Sequence, residues 1–275
     1  MILFTILHQN KLKILQKRFN FQFSEQIWRV LPHTSSQRNE WVLELRNPNS
    51  KSVHLAAIDP IHERLLWQTA PIELDWWSSL VMVREDQIFV HLYRYPEIPE
   101  PTDIIVFSLE NGNLLYHLPN HFLVGTPSNG LAQVARRVGE ELKYYDLDAS
   151  TGSLSKCDNP TENEILSDFK LPNLQKNGDP YFDQMRFFIE SLVGHGALHS
   201  IEYLDLKPYM MFSYYIYEQE KMNQFILVAN QNKEIIVHDL VNEGEKSVGV
   251  GTMILKANVL VYLKNKNEFS SLKLS

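Results

Sequence analysis

The sequence predicts an all-β, propeller-like fold: five blades of four antiparallel strands, with six as the alternative count. Three observations predict it. Period-two alternation of apolar and polar residues dominates the chain, as half-buried strands require. A ten-residue hairpin pattern recurs four times. The C-terminal segment supplies only three strands of a blade, and a strand near the N-terminus is available to complete it.

The hairpin is clearest at 104–116, where Glu110-Asn111-Gly112-Asn113 separates two apolar runs. Asn-Gly is the strongest short-range hairpin signal, because both residues tolerate positive φ. Within it, 107–116 aligns with 58–67 and with 147–156, and more weakly with 228–237. The first and eighth positions are apolar in all four copies, and the turn lies at one offset. The first positions are separated by 49 residues (58 to 107), 40 (107 to 147) and 81 (147 to 228). The last interval is two periods, or one period plus an insertion. Repeats of roughly 40 to 50 residues with four strands each mark a propeller.

Taken in order, 1–7 is apolar but short, without a basic flank or a small-residue cleavage site, and reads as a strand and not a signal peptide. The strand that closes the ring is 19–23 or the segment 11–17. Blade one spans about 26–69, with strands at 27–32, 40–47, 53–59 and 64–68 and a turn at Asn47-Pro48-Asn49-Ser50. Blade two spans 76–119, with strands at 76–83, 87–95, 104–109 and 114–118. Its loop 96–103 is acidic and Pro-rich, hence stiff and exposed. Blade three, 121–158, takes strands at 122–125, 131–138, 142–148 and 154–157.

An insertion follows at 159–199. It begins polar and turn-rich, then becomes helical at 179–193. Asp179 is the expected N-cap, Pro180 the first helical residue and Gly194 the stop. Phe182, Met185, Phe188, Ile189 and Leu192 share one side, a stripe expected to seal a flank of its own domain. Blade four spans 200–240, with strands at 201–206, 209–217, 224–230 and 234–240. Blade five, 246–275, has strands at 248–255, 259–264 and 269–274 and takes its fourth from the N-terminus. Closure of this kind removes exposed sheet edges. Residues 1–275 form one domain in this reading.

Composition narrows the function classes. The chain has 275 residues, 44% hydrophobic and 21% charged, enough for a large core. A net charge of −7 repels phosphate backbones, which argues against nucleic acid as a partner. The lone Cys157 excludes an internal disulfide framework and a Cys-rich zinc site, and fits a reducing compartment. No run approaches the roughly 18 apolar residues of a membrane helix. A cytoplasmic protein, with no membrane partner, is the expectation.

The local motifs of common enzymes are missing. There is no Gly-x-Ser-x-Gly, phosphate-binding Gly-rich loop, Cys-x-x-Cys or dinucleotide fingerprint. No catalytic residue, metal ligand or cofactor is therefore assigned. The candidate ligand-binding residues are Trp76, Trp77, His91, Tyr93 and Tyr95. Adjacent tryptophans in a strand point to opposite faces, so one can pack while the other stacks on a ligand. His91, Tyr93 and Tyr95 share one strand face by period two and can line a pocket. His195 and His199 have metal-ligand spacing, but flanking glycines and the absence of a carboxylate favour a solvated loop. Arg136-Arg137 is expected to pair with Glu140 and Glu141. Glu97, Glu100 and Asp103 lack the spacing of a calcium loop.

The hairpin is loosely similar to the blade repeats of quinone-dependent dehydrogenase-type and WD-like propellers, the former carrying Ala-x-Asp-x-x-Thr-Gly-x-x-x-Trp. Ala57, Asp59 and Trp67 match in one copy, with His62 and Glu63 replacing Thr-Gly. Asp148, Thr151 and Gly152 match in another, with Lys156 replacing the Trp. These are blade-packing positions, so the resemblance implies no quinone. Residues 23–28, Trp76-Trp77, His91 with Tyr93, 104–116 and 259–268 resemble an uncharacterised bacterial family of unknown function, mainly from Bacteroidetes. That resemblance implies a propeller-like fold and no particular chemistry. The functional expectation is a non-catalytic propeller that binds a protein or peptide through one face. The alternative is a small-ligand or enzymatic propeller with its site at the central channel.

Overall fold

A computed structural model describes residues 17–95, 97–98, 100–126, 131–158 and 168–275. The strand expected at 1–7 and the alternative closing segment up to residue 16 lie outside them. The first described strand, β1 (Arg18–Gln22), precedes blade 1, which is built from β2 (Gln26–Pro32), β3 (Trp41–Asn47), β4 (Ser52–Asp59) and β5 (Arg64–Thr69). Blade 2 holds β6 (Ser79–Arg84), β7 (Gln87–Leu92), β8 (Asp103–Ser108) and β9 (Leu114–Pro119). Blade 3 holds β10 (Phe122–Gly125), β11 (Ala132–Val138), β12 (Glu141–Asp148) and β13 (Ser153–Lys156).

The insertion region then supplies β14 (Phe169–Lys170), β15 (Asn173–Lys176) and α1 (Phe182–Val193). Blade 4 follows as β16 (Leu198–Leu206), β17 (Tyr209–Glu218), β18 (Lys221–Asn230) and β19 (Ile235–Asn242), with β15 added beside β16. Blade 5 is β20 (Met253–Lys256), β21 (Val259–Lys264) and β22 (Glu268–Lys273). β1 pairs with β22 in register Phe19 to Ser271, and β14 pairs with β20 in register Phe169 to Lys256.

The described residues thus form five antiparallel sheets, and the N-terminal strand completes the fifth as expected. Two sheets hold five strands instead of four. The extra strands come from the segment read as pure insertion. Its residues 168–176 run extended along the inner edges of blades 5 and 4. The helix begins at Phe182 and not at Pro180, because the Asp179 carboxylate accepts the Lys176 N–H at 2.7 Å and closes a turn there. Gly194 ends it in the left-handed conformation, φ 72°.

Apolar clusters join the blades face to face. Val42, Leu55 and Ala57 of blade 1 meet Leu80, Ile88 and Phe107 of blade 2. Met82, Phe89 and Val106 meet Val134 and Leu147 of blade 3. Val261 and Phe269 of blade 5 meet Trp41 and Leu43 of blade 1, and Met211 and Val228 of blade 4 meet Leu255 and Leu260 of blade 5. The other face of blade 4, with Phe212, Tyr214 and Phe225, packs on Phe182 and Ile189 of α1.

The recurring hairpin explains a second link between blades. Trp67, at its tenth position in blade 1, reaches under the turn of blade 2 and donates from Nε1 to the Leu109 carbonyl at 2.8 Å. A Cβ on Gly112, φ 73°, would lie 2.8 Å from the Trp67 ring. Tyr116 repeats the arrangement one blade on. Its hydroxyl donates to the Ala149 carbonyl at 3.0 Å, and its ring lies 3.4 Å from a Cβ built on Gly152, φ 72°. In blade 3 the tenth position is Lys156, which pairs with Asp158 at 2.6 Å instead of docking.

Candidate functional site

Antiparallel pairing fixes which loops share an end of the propeller. β2 and β6 are inner strands that start at one end, so the connections 70–78, 93–102 and 243–252 and the hairpins at Asn47–Ser52 and Lys264–Glu268 emerge there together. A cavity of about 530 Å³ opens at this end, between the start of β2, the innermost segment 169–171 and the connection from β19 to β20.

Trp28 stands on its rim. Period two would bury one of two neighbouring side chains, but β2 has a bulge between Ile27 and Arg29, leaving Trp28 as the extra residue. Its side chain is 54% exposed. Beneath it the buried Arg46 guanidinium lies 4.6 Å from the Trp28 ring and 5.2 Å from that of Trp76. Arg46 is fixed by Glu44 at 2.6 Å and by the Ser78 carbonyl at 2.7 Å, while Glu44 also accepts the Leu80 N–H at 2.8 Å. Two stacked cations, Arg46 and Lys51 (4.3 Å from Trp76), therefore hold the tryptophans in place.

The opposite wall is the stretch 249–252. Glu202, buried on β16, accepts the N–H groups of Gly251 and Thr252 and the Thr252 hydroxyl. Thr252 Oγ1 in turn accepts from the Ser213 hydroxyl at 2.7 Å, and Gly249 N–H meets the Tyr215 hydroxyl at 2.8 Å. Burial pushes the Tyr215 phenol up to about 12, so it stays protonated and can donate in turn. Val250, at the tip, is 73% exposed, and Leu171 from the innermost segment is 59% exposed. Phe169 and Leu31 also line the cavity. Its charged lining groups are committed: Arg29 donates to the Leu80 carbonyl at 2.8 Å, and Glu245 pairs with Lys266 at 3.1 Å.

The residues expected to bind ligand lie at this end but do not converge. Trp76 and Trp77 are not in a strand. Asp75 and Ser78 close a turn around them, with Trp77 N–H on the Asp75 carboxylate at 2.9 Å and Asp75 N–H on the Ser78 hydroxyl at 2.9 Å. Trp76 is engaged by Arg46 and Lys51, and Trp77 is half exposed. β7 ends at Leu92, so Tyr93 and Tyr95 belong to the following loop and share no strand face with His91. His91 is buried and accepts the Leu123 N–H at 2.9 Å, tying blade 2 to blade 3, and desolvation holds its pKa down near 4. Tyr95 lines a separate, smaller depression with Arg94, Ile98, Asn120 and Phe122.

Other expected pairings also change. Arg137 reaches Glu100 at 3.2 Å across blades instead of Glu140 or Glu141, and Asp103 is held by Arg94 at 2.6 Å. His195 joins Tyr214, while His199 packs on Tyr217. Among the described residues no group of three or more His, Cys, Asp or Glu is placed to hold a metal ion. At the far end of the ring, burial lowers the Lys256 amine to about 8, and it donates to the Arg38 carbonyl at 2.7 Å. The sequence reading missed Trp28, Phe169, Leu171, Tyr215 and Val250. Only Trp28, an aromatic in the solvent phase of its strand next to the inward Ile27, carried a signal that could have found it.

Five antiparallel sheets, with the first described strand completing the fifth, define a five-bladed propeller-like fold with an aromatic-rimmed cavity at one end. Residues 34–116 match the family described as Domain of unknown function (DUF4905). No curated protein matches the chain. It is similar to a solved DUF4221 family member from Bacteroides vulgatus, at 9% identity over 95% of this chain and 97% of that one, with a TM-score of 0.34. The β-propeller domain of the Trilobed protease from Pyrococcus furiosus is similar at 10% identity, covering 88% and 78% of the two chains, TM-score 0.31. BamB from Moraxella catarrhalis is similar at 10% identity, covering 88% and 84%, TM-score 0.23.

Proposed function

We propose that the protein is a non-catalytic propeller of the cytoplasm that binds a partner protein or peptide, taking one of its apolar side chains into the cavity beside Trp28. The observation that carries this reading is the rim: Trp28, Leu171 and Val250 expose apolar surface around one opening, while the charged lining groups are already paired. Rigid aromatic anchors with a polar surround suit partner capture. The test is selection from a random peptide library on the purified protein, followed by titration of the enriched peptides. Sequences sharing an aromatic or aliphatic anchor are expected, with affinity falling about tenfold or more in Trp28→Ala. The alanine change Phe187→Ala, on the exposed side of α1, is expected to leave binding unchanged. Peptides that bind Trp28→Ala as well as wild type refute the proposal. A small ligand in the same cavity is the second reading, favoured by the buried Asn242 Oδ1 in its lining, which has no hydrogen-bond donor. Thermal-shift screening with a metabolite library separates the two.

A further inference from the structure

α1 is held to blade 4 by a polar cluster inside an otherwise apolar contact. His195 follows the helix directly after Gly194, and its Nδ1 lies 2.9 Å from the Tyr214 hydroxyl. The same hydroxyl lies 2.9 Å from His238 Nε2 on β19. The two imidazole centres are 5.0 Å apart, and Phe225 packs on both, at 4.7 and 5.4 Å. Tyr214 is fully buried.

A hydroxyl carries one proton and can satisfy this geometry in few ways. With both imidazoles neutral, Tyr214 donates to one ring and accepts from the other. When both are protonated, each ring can only donate. The hydroxyl proton then has no acceptor, and two cations stand 5.0 Å apart against an aromatic wall.

The charged groups nearby do not relieve this. Asp239 acts on His238 but is committed to Arg18, Tyr262 and Lys264. Glu218 acts on Tyr214 and is held by Asn223 at 2.8 Å. Glu202 on β16 is bound by the 251–252 backbone, and His199 packs on Tyr217. From α1 the titratable groups are Asp183, Arg186 and Glu190, and from β18 Lys221, which pairs with Glu243 at 2.9 Å. Burial and the neighbouring imidazole both depress the pKa of His238.

We propose that the His195–Tyr214–His238 cluster is a proton-operated latch that fastens α1 to blade 4 at neutral pH and releases it in mild acid, uncovering Phe182, Phe212 and Phe225. With one ring protonated the imidazolium donates to the Tyr214 oxygen and the hydroxyl donates to the other ring, so the latched state excludes only the second proton. With a free histidine titrating near 6.5, one excluded proton makes opening up to about tenfold more favourable at pH 5.5 than at pH 7.5.

The experiment is hydrogen exchange of 182–193 at pH 7.5 and 5.5 on the full chain, corrected for the intrinsic exchange rate. Protection is expected to fall severalfold, up to about tenfold, on acidification, and to become independent of pH in the double variant His195→Gln, His238→Gln. Unchanged wild-type protection, or the same fall in the double variant, overturns the proposal. Tyr214→Phe keeps both imidazoles and removes the shared hydroxyl. It is expected to lower protection of 182–193 already at pH 7.5, and wild-type protection in that variant also overturns the latch.

Discussion

Alanine at Gly112 tests whether the aromatic dock between blades holds the ring together. Two costs arise there. The backbone has φ 73°, and a Cβ in the left-handed region costs about 1 to 2 kcal/mol. The added methyl would lie 2.8 Å from the Trp67 ring and 2.8 Å from Thr69 Cγ2, and overpacking of this kind costs about 1 to 3 kcal/mol more. Gly139 supplies the control, because it has φ 66° and nothing within 4 Å of a built Cβ. Gly139→Ala is therefore expected to lose only the backbone part, about 1 kcal/mol. The measurement is urea unfolding followed by far-UV circular dichroism, with midpoints compared at constant slope. A third variant, Trp67→Leu, makes room for the methyl, so Gly112→Ala should cost less in that background than in wild type. Equal losses for Gly112→Ala and Gly139→Ala would refute the argument. So would strict additivity of Gly112→Ala and Trp67→Leu, within about 0.5 kcal/mol.

Three further outcomes are expected. His91 has a folded pKa near 4, below the unfolded value of about 6.5, so its contribution is complete above pH 6.5 and is lost as the pH falls toward 4. The full loss is about 3 kcal/mol; urea midpoints from pH 7.5 to 4.5 should show a shallower acid loss in His91→Gln than in wild type, and parallel curves would contradict the assignment. Glu202→Gln leaves one of the Gly251, Thr252 and hydroxyl donors without an acceptor, costing about 1 to 3 kcal/mol and speeding amide exchange at 249–252. Deleting residues 1–22 strips β1 from β22, along with the Phe19–Phe269 contact and the Arg18–Asp239 pair. Concentration-dependent association on size-exclusion chromatography should follow from the bared edge, and a well-behaved monomer would show that β1 is dispensable.

Much of the blade architecture was legible because its signals are local. Asn111-Gly112 announces a turn through its φ preferences, and the eighth-position apolar residues Leu65, Leu114, Leu154 and Ile235 repeat on every hairpin. Even the lapse of the dock at Lys156 is visible as a substitution in the repeat. Trp76-Trp77 misled because two aromatics before an apolar run look like strand, whereas Asp75 and Ser78 use their side chains to close a turn. The helix start slipped for the same reason, with Asp179 spent on Lys176. The two extra inner strands were missed because Phe169-Lys170 and Asn173–Lys176 are too short to show a period.

The sequence by itself determined the fold class, the repeating four-strand blade and the completion of the last sheet from near the N-terminus, and narrowed the blade count to five or six, since alternation and turn chemistry act between residues a few positions apart. Tertiary structure alone decided the site. Trp28 is turned outward by a bulge that period two conceals, and its partners Arg46, Leu171 and Val250 come from three other segments. The cavity exists because blades 4, 5 and 1 meet there, and side chains that meet only across blades leave no spacing in the chain to read.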